Sequence, residues 1–238
     1  MTDAVALRTG VIFGASSGIG AALATELSGQ CNLVLASRRG LAPPGVVRAH
    51  ALACDVRDYE RVADVMSATK APDFVASCAG VGHYAPLIAD HSGTWKDIVQ
   101  TNLTGAANIL SCVRRFAPQC RQVIMVGSLA AKRRSPTPGN EFYRASKVAL
   151  AVLLEDFRHD LRAEGNPMKV CHIVPGFVDG TDFGRRFFET DPSAAVDLFG
   201  RFPGLSAAQV ARAIRWVLDA EPGVEISELV VRPTLQPN

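Results

Sequence analysis

Tyr143 and Lys147 stand four residues apart at the start of a long Ala/Leu-rich stretch. On a helix this spacing puts both side chains on one face, where they can converge on one point. A free tyrosine titrates near ~10 and is a poor base at neutral pH. Drawing it to ~7 takes about 4 kcal/mol of preference for the phenolate, which one cation at ~4 Å in an effective dielectric of ~20 supplies. Lys147 is placed to be that cation. A phenol tuned this way can give a proton to a carbonyl oxygen or take one from an alcohol. An isolated Tyr/Lys pair can equally sit exposed on a solvated face. Ser128 closes the apolar run Val123-Ile-Met-Val-Gly-Ser128, and its hydroxyl could hold a substrate oxygen beside the phenol. A serine at a strand end is otherwise a cap or turn residue. Asn102 lies inside a helical stretch, where Asn is a mediocre former; it either holds a water beside Lys147 or faces solvent.

A second constellation lies near the N-terminus. An apolar strand is followed by Gly14-Ala-Ser16-Ser17-Gly18-Ile19-Gly20, which runs directly into a helix. Glycines there let the backbone approach a pyrophosphate, and the helix N-terminus offers free N–H groups and a favourable dipole. The second strand ends in Ser37-Arg38-Arg39, with no acid until Asp55. A carboxylate at this place would accept a ribose 2′-hydroxyl, whereas cations without a carboxylate suit a 2′-phosphate. The expected cofactor is therefore NADP(H) rather than NAD. Asp55 and Val56 follow the third strand, placed either for the adenine or as a plain surface turn.

The elements that must position these residues alternate. Strands are expected at residues 10–13, 33–36, 46–53, 74–77, 122–126, 170–174 and 229–231. Helices are expected at 18–27, 58–68 (with Asp58 as N-cap), 94–115, 142–163 and 207–219. Short apolar strands separated by helices imply a parallel sheet covered on both faces, that is, a doubly wound α/β fold of the Rossmann type. Residues 1–238 read as a single domain, with variable substrate loops at about 129–142 and 179–204, both beyond strand C-termini where such sheets bind ligands.

Composition narrows the function classes. The 238 residues carry a net charge of +2, with 48% hydrophobic and 20% charged residues, an ordinary globular balance. The basic clusters are short, so no nucleic-acid partner is expected. No signal peptide is evident and no apolar run approaches a membrane span. Cys31, Cys54, Cys78, Cys112, Cys120 and Cys171 lack paired spacing and mostly sit in apolar runs. They read as buried, reduced thiols in a cytoplasmic protein.

Taken in order, Gly14-Ala-Ser-Ser-Gly-Ile-Gly20, Asp55-Val56, Ala79-Gly80, Asn102, Ser128, Tyr143-Arg-Ala-Ser-Lys147 and Pro175-Gly176 resemble the short-chain dehydrogenase/reductase family over essentially the whole chain. The resemblance implies a catalytic tetrad of Ser128, Tyr143, Lys147 and Asn102, with Lys147 also holding the nicotinamide ribose. It implies cofactor contacts by Ile19 and Val56, and by Ala79, Gly80, Pro175, Gly176, Val178 and Thr181. The implied reaction is hydride transfer between the nicotinamide and a carbonyl or secondary alcohol of a small-molecule substrate, in a homodimer or homotetramer. The apolar residues Ala149, Leu150, Leu153, Leu154 and Phe157 could form the subunit contact or plain core. Epimerisation, double-bond reduction and a non-catalytic NADP-binding regulatory protein are the rival readings.

The chain also departs from the family. Phe13 replaces the usual Thr, and Ser77-Cys78-Ala79-Gly80 replaces Asn-Asn-Ala-Gly, which removes a bracing amide and suggests a looser cofactor cradle. The stretch between Ser128 and Tyr143 is longer than usual, and Thr181 comes one residue late. The segments at 175–183 and 226–234 are similar to the branch with NADP-dependent 3-hydroxy acid dehydrogenases. Arg133, Arg134, Arg185 and Arg186 lie in the expected substrate loops, as anion partners or solvated charges.

Overall fold

The structure is a computed structural model that describes residues 7–83, 86–88, 93–133, 139–181, 187 and 202–237. Arg134, Arg185 and Arg186 lie outside the described residues, as does much of the 179–204 loop. In chain order the elements are β1 (Arg8–Phe13), α1 (Gly18–Glu26), β2 (Cys31–Ser37), β3 (Ala49–Ala53), α2 (Tyr59–Ala68) and β4 (Phe74–Ser77). There follow α3 (Trp95–Val99), a π-helical turn (Gln100–Thr104), α4 (Gly105–Phe116) and β5 (Gln122–Val126). A 3-10 turn (Leu129–Ala131), α5 (Glu141–Ala163), β6 (Lys169–Pro175), α6 (Ala207–Leu218) and β7 (Glu228–Val231) complete the described chain.

The strands form one parallel sheet in the order β3-β2-β1-β4-β5-β6-β7. This is the expected doubly wound Rossmann architecture. Central strands buried on both faces read as unbroken apolar runs, and all four residues of β4 are buried. One face packs Val11, Val75, Val123 and Val170 against α2, α4 and α5. The other packs Ile12, Leu35, Ile124 and Ile173 against α1 and α6. Caps fix where helices begin. Asp58 accepts from the Glu60 and Arg61 amides at α2, and Ser206 and Gln209 form a reciprocal capping box at α6.

Two expectations need correction. The third strand begins at Ala49, not at residue 46, because Gly45 and Arg48 adopt positive φ (76° and 57°), which no strand accommodates. The helix expected over 94–115 is three pieces, with the π-helical turn at Gln100–Thr104 in its middle. The order of strands reverses between β1 and β4, and the crevice at their carboxyl ends is where an open sheet of this kind takes a ligand.

Candidate active site

The buried stripe of α5 contains Tyr143, Ser146, Lys147, Leu150 and Leu154. The helical period thus aims Tyr143 and Lys147 inward with the core residues, so the solvated-face alternative does not hold. Lys147 is 4% exposed. Its Nζ donates to the Val126 carbonyl at 3.0 Å and stands 5.8 Å from the centre of the Tyr143 ring. Ser128 is a turn cap, as a serine at a strand end can be, and it also lies beside the phenol. Its Oγ accepts the Ala130 amide at 3.1 Å, capping the 3-10 turn, and it hydrogen-bonds the Tyr143 phenol.

Asn102 neither faces solvent nor sits idle. The π-helical turn carries it inward to 2% exposure. Its Oδ1 accepts the Val81 amide at 2.8 Å, and its Nδ2 donates to the Val81 carbonyl at 2.8 Å and to Ser146 Oγ at 3.0 Å. Ser146 in turn donates to the Tyr143 carbonyl at 2.7 Å. Asn102 therefore ties the segment after β4 to the helix that bears Tyr143. A β-carbon on Gly80 would lie 3.4 Å from both Asn102 Oδ1 and Lys147 Nζ, so Gly80 brings this cluster next to β4.

Burial sets the electrostatics of the cluster. It pushes the Tyr143 phenol up to about 12, with the Ser128 hydrogen bond opposing. It brings Lys147 down to about 8, with Cys78 opposing. In the protein by itself burial outweighs the cationic help expected for the phenol from Lys147, to which an oxidised nicotinamide would add. Both groups share one desolvated pocket, where each charged form is disfavoured. Behind Ser128, His172 on β6 is also buried, and burial lowers it to about 4.

The glycine turn is held by main chain. The Gly14 and Ala15 amides donate to the Ala36 carbonyl at 2.8 and 3.2 Å, and the Cys78 amide to Phe13 at 2.9 Å. Despite the altered Ser77-Cys78 motif, backbone hydrogen bonds brace this cradle. Gly14 has φ 77°, and a β-carbon there would fall 2.6 Å from the Ala79 nitrogen. One on Gly20 would fall 2.3 Å from the Gly14 carbonyl. Ser17, the N-cap of α1, makes no side-chain cap, and the first turn has no acidic residue. Its amides thus suit a phosphate.

The cationic side of this cradle is also in place. Arg39 donates to the Ser16 carbonyl and hydroxyl at 3.0 and 3.1 Å, and Arg38 is exposed beside it. Ser37 ends β2 and is buried, and its Oγ has no partner among the described residues. Asp55 is gripped by Arg57 through both oxygens, the shortest contact being 2.6 Å, and this holds its carboxyl below the usual range. Val56 is 6% exposed and locks against Gly105, whose β-carbon would come within 2.6 Å of it. Pro175 ends β6 and Gly176 follows it. Beyond Val178 the chain returns over the glycine turn, with Thr181 Cγ2 3.8 Å from where a Gly18 β-carbon would be. A glycine-lined crevice, uncapped amides and neighbouring arginines form a donor set that fits a nicotinamide adenine dinucleotide.

Three contributors were not legible as site residues. Ser146 lies three residues after Tyr143, and that spacing is the one signal for it. Arg57 grips Asp55 two positions before it, and Gln236 acts through a partner that only the fold reveals.

The sequence matches the family model for short chain dehydrogenase over residues 8–192. It is 27% identical to bovine (Bos taurus) dehydrogenase/reductase SDR family member 11, over 96% of this chain and 97% of the relative. It is 29% identical to sulfoacetaldehyde reductase of Chromohalobacter salexigens, over 99% and 96% respectively. Among solved structures, the closed form of serine dehydrogenase complexed with NADP+ superposes with a TM-score of 0.84 at 21% identity, covering 97% of both chains.

Proposed function

The chain belongs to the short-chain dehydrogenase family, and from that premise we propose that it is an NADP(H)-dependent oxidoreductase acting on a carbonyl or secondary alcohol. The observation that carries this reading is the convergence of Ser128, Tyr143, Lys147 and Asn102 in one cluster beside the switch-point crevice.

When bound, the nicotinamide supplies the hydride or accepts it. The other steps belong to the protein. Ser128 holds the substrate oxygen beside the phenol, and Tyr143 delivers its proton to that oxygen in reduction or removes it in oxidation. Lys147 hydrogen-bonds the ribose and, with any positive charge on the nicotinamide, opposes the burial that holds the phenol protonated. Asn102 fixes the position of the helix carrying both. Gly14 to Gly20 take the pyrophosphate, Ser37, Arg38 and Arg39 the 2′-phosphate, and Asp55 and Val56 the adenine end. Ala79 and Gly80 line the crevice floor, while Pro175, Gly176, Val178 and Thr181 meet the nicotinamide.

Residues 1–238 act as one domain whose loops at about 129–142 and 179–204 select the substrate. A small carbonyl compound fits the relationship to sulfoacetaldehyde reductase, and a hydroxy acid, an acyl thioester and a specialised-pathway ketone are the substrate classes to screen. Arg133 donates to the Pro237 carbonyl at 3.5 Å and lies in a loop expected to border the substrate. No described helix is long and apolar enough to cross a membrane, and six unbonded cysteines, five of them buried, suit a reducing compartment such as the cytoplasm.

The test separates binding from chemistry. Tyr143→Phe should bind NADPH as the wild type does and lose turnover by about 10²–10⁴-fold. Arg38→Ala should weaken NADPH far more than NADH, since only the former carries the 2′-phosphate. Unchanged turnover in Tyr143→Phe would remove Tyr143 from the chemistry, unchanged biological activity of a variant without turnover would remove the enzyme reading, and equal losses for both cofactors would remove the phosphate role.

A further inference from the structure

After β7 the chain turns back over the carboxyl ends of β5 and β6. The Gln236 amide donates to the Pro233 carbonyl at 3.1 Å, closing a turn. The Gln236 side chain then points at the Pro175-Gly176 corner, where its Oε1 accepts the Phe177 amide at 3.1 Å. A β-carbon on Gly176 would fall 2.3 Å from that oxygen and 3.0 Å from Arg232 Cβ and Pro233 Cδ. Gly176 is thus bare because the tail occupies the space a side chain would fill.

Two arginines fasten the end of the tail, one from within it and one from outside. Arg232 donates to the carbonyls of Gln236 and, at 3.2 Å, Pro237. Arg133 reaches the Pro237 carbonyl from the segment that follows Ser128. The tail therefore touches both segments that border the candidate site. On its far side, Phe177 is fixed by Leu205, whose amide donates to the Phe177 carbonyl at 2.9 Å, and the Asp179 amide donates to Leu205 at 2.8 Å. The ring of Phe177 meets Phe202 edge-on at 5.9 Å. With its N–H held by Gln236 and its C=O by Leu205, residue 177 has little freedom, and Val178 follows directly.

We propose that residues 232–237 form a strap across the site and that Gln236 is a positioning residue, its side-chain carbonyl setting the backbone direction from Gly176 to Val178 that meets the nicotinamide. This rests on the cofactor reading above. Only an acceptor at the Gln236 position is required, so Gln236→Glu retains the function and Gln236→Leu, similar in size, loses it. One lost neutral hydrogen bond corresponds to about fivefold to tenfold in an equilibrium.

The experiment compares NADPH with adenosine 2′,5′-bisphosphate, which carries the 2′-phosphate but no nicotinamide. In Gln236→Leu the Kd for NADPH should rise about fivefold to tenfold, while that for adenosine 2′,5′-bisphosphate stays unchanged, which also certifies folding. Gln236→Glu should stay within about twofold of wild type for both. Hydrogen exchange on the protein without ligand gives a second readout: residues 176–178 should exchange faster in Gln236→Leu and not in Gln236→Glu. Equal losses for both ligands, unaltered NADPH binding in Gln236→Leu, or failure of Gln236→Glu to match wild type would each overturn the strap. Wild-type protein that binds neither ligand would overturn the cofactor reading and the strap together. NADPH binding by wild type with no change in Gln236→Leu would overturn the strap alone.

Discussion

Lys147 carries a charge into a pocket that disfavours it. Burial lowers it from 10.5 to about 8, so below pH 8 the folded protein holds an ammonium that would be more comfortable in the unfolded chain. Between pH 8 and 10.5 the unfolded chain keeps a proton that the folded chain has released, so this contribution to stability rises with pH across that window. The shift corresponds to about 3 kcal/mol. Lys147→Met should therefore be more stable than wild type at pH 7, by about 1–3 kcal/mol, with the gain fading as the pH rises toward 9.5. Urea titrations at several pH values test this, and a less stable variant at pH 7 would contradict it. The same variant should lose turnover, separating what the lysine does for chemistry from what it costs the fold. The sequence made the Tyr143–Lys147 pairing visible because four-residue spacing converts directly into a shared helix face. It did not show that burial, rather than their mutual attraction, dominates both groups, because desolvation depends on everything packed around them. Gln236 was invisible for a related reason, since its partner lies 59 positions away.

At the scale of elements, the segment from Trp95 to Phe116 shows how a local departure from periodicity serves the site. The apolar pattern predicts one helix, and an unbroken α-helix has a single register. The π-helical turn at Gln100–Thr104 widens that helix, and the residue it carries into the protein is Asn102. Such turns often mark functional positions. An Asn in mid-helix was the visible symptom, but its direction could not be read from pattern. By contrast, Asp58 before α2 and the Ser206–Gln209 pair before α6 start their helices through local chemistry alone, which is why the α2 start was legible. Asn102→Ala should leave the Val81 amide and carbonyl with buried unmet hydrogen bonds and remove the donor to Ser146 Oγ, costing about 2–4 kcal/mol. Asn102→Asp keeps the acceptor and loses the donors, so it should fall between alanine and wild type. Denaturant midpoints measured at unchanged m-value decide the matter, and a loss below about 1 kcal/mol in the alanine variant would show that the tie is weak.

Across the whole molecule, the reversal between β1 and β4 gathers the glycine turn, the Ala79-Gly80 segment, Ser128 and Pro175-Gly176 at one edge of the sheet. This left the outer faces of α4 and α5 with no catalytic duty. Leu150 and Leu154 are core, but Leu153 and Phe157 flank a groove of about 520 Å³ between the two helices, with Leu110 on its opposite side. Arg114 and Arg115 stand on the α4 side and Asp156 and Asp160 on the α5 side. A two-fold axis along this groove would set the arginines of one copy against the aspartates of another, the self-complementarity that an isologous dimer needs. Val152, one helical turn before Asp156, is 57% exposed and extends the apolar strip outward. The proposed homodimer or homotetramer would bury it. Val152→Glu should then yield a smaller species than wild type in sedimentation at about 10 µM, because an unpaired carboxylate buried at the contact costs several kcal/mol. Raised salt should weaken the wild-type assembly in the same direction, as screening reduces the arginine–aspartate attraction. A wild-type chain that sediments as a monomer would remove the oligomer. An assembly that survives both Val152→Glu and high salt would move the interface to another face of the molecule.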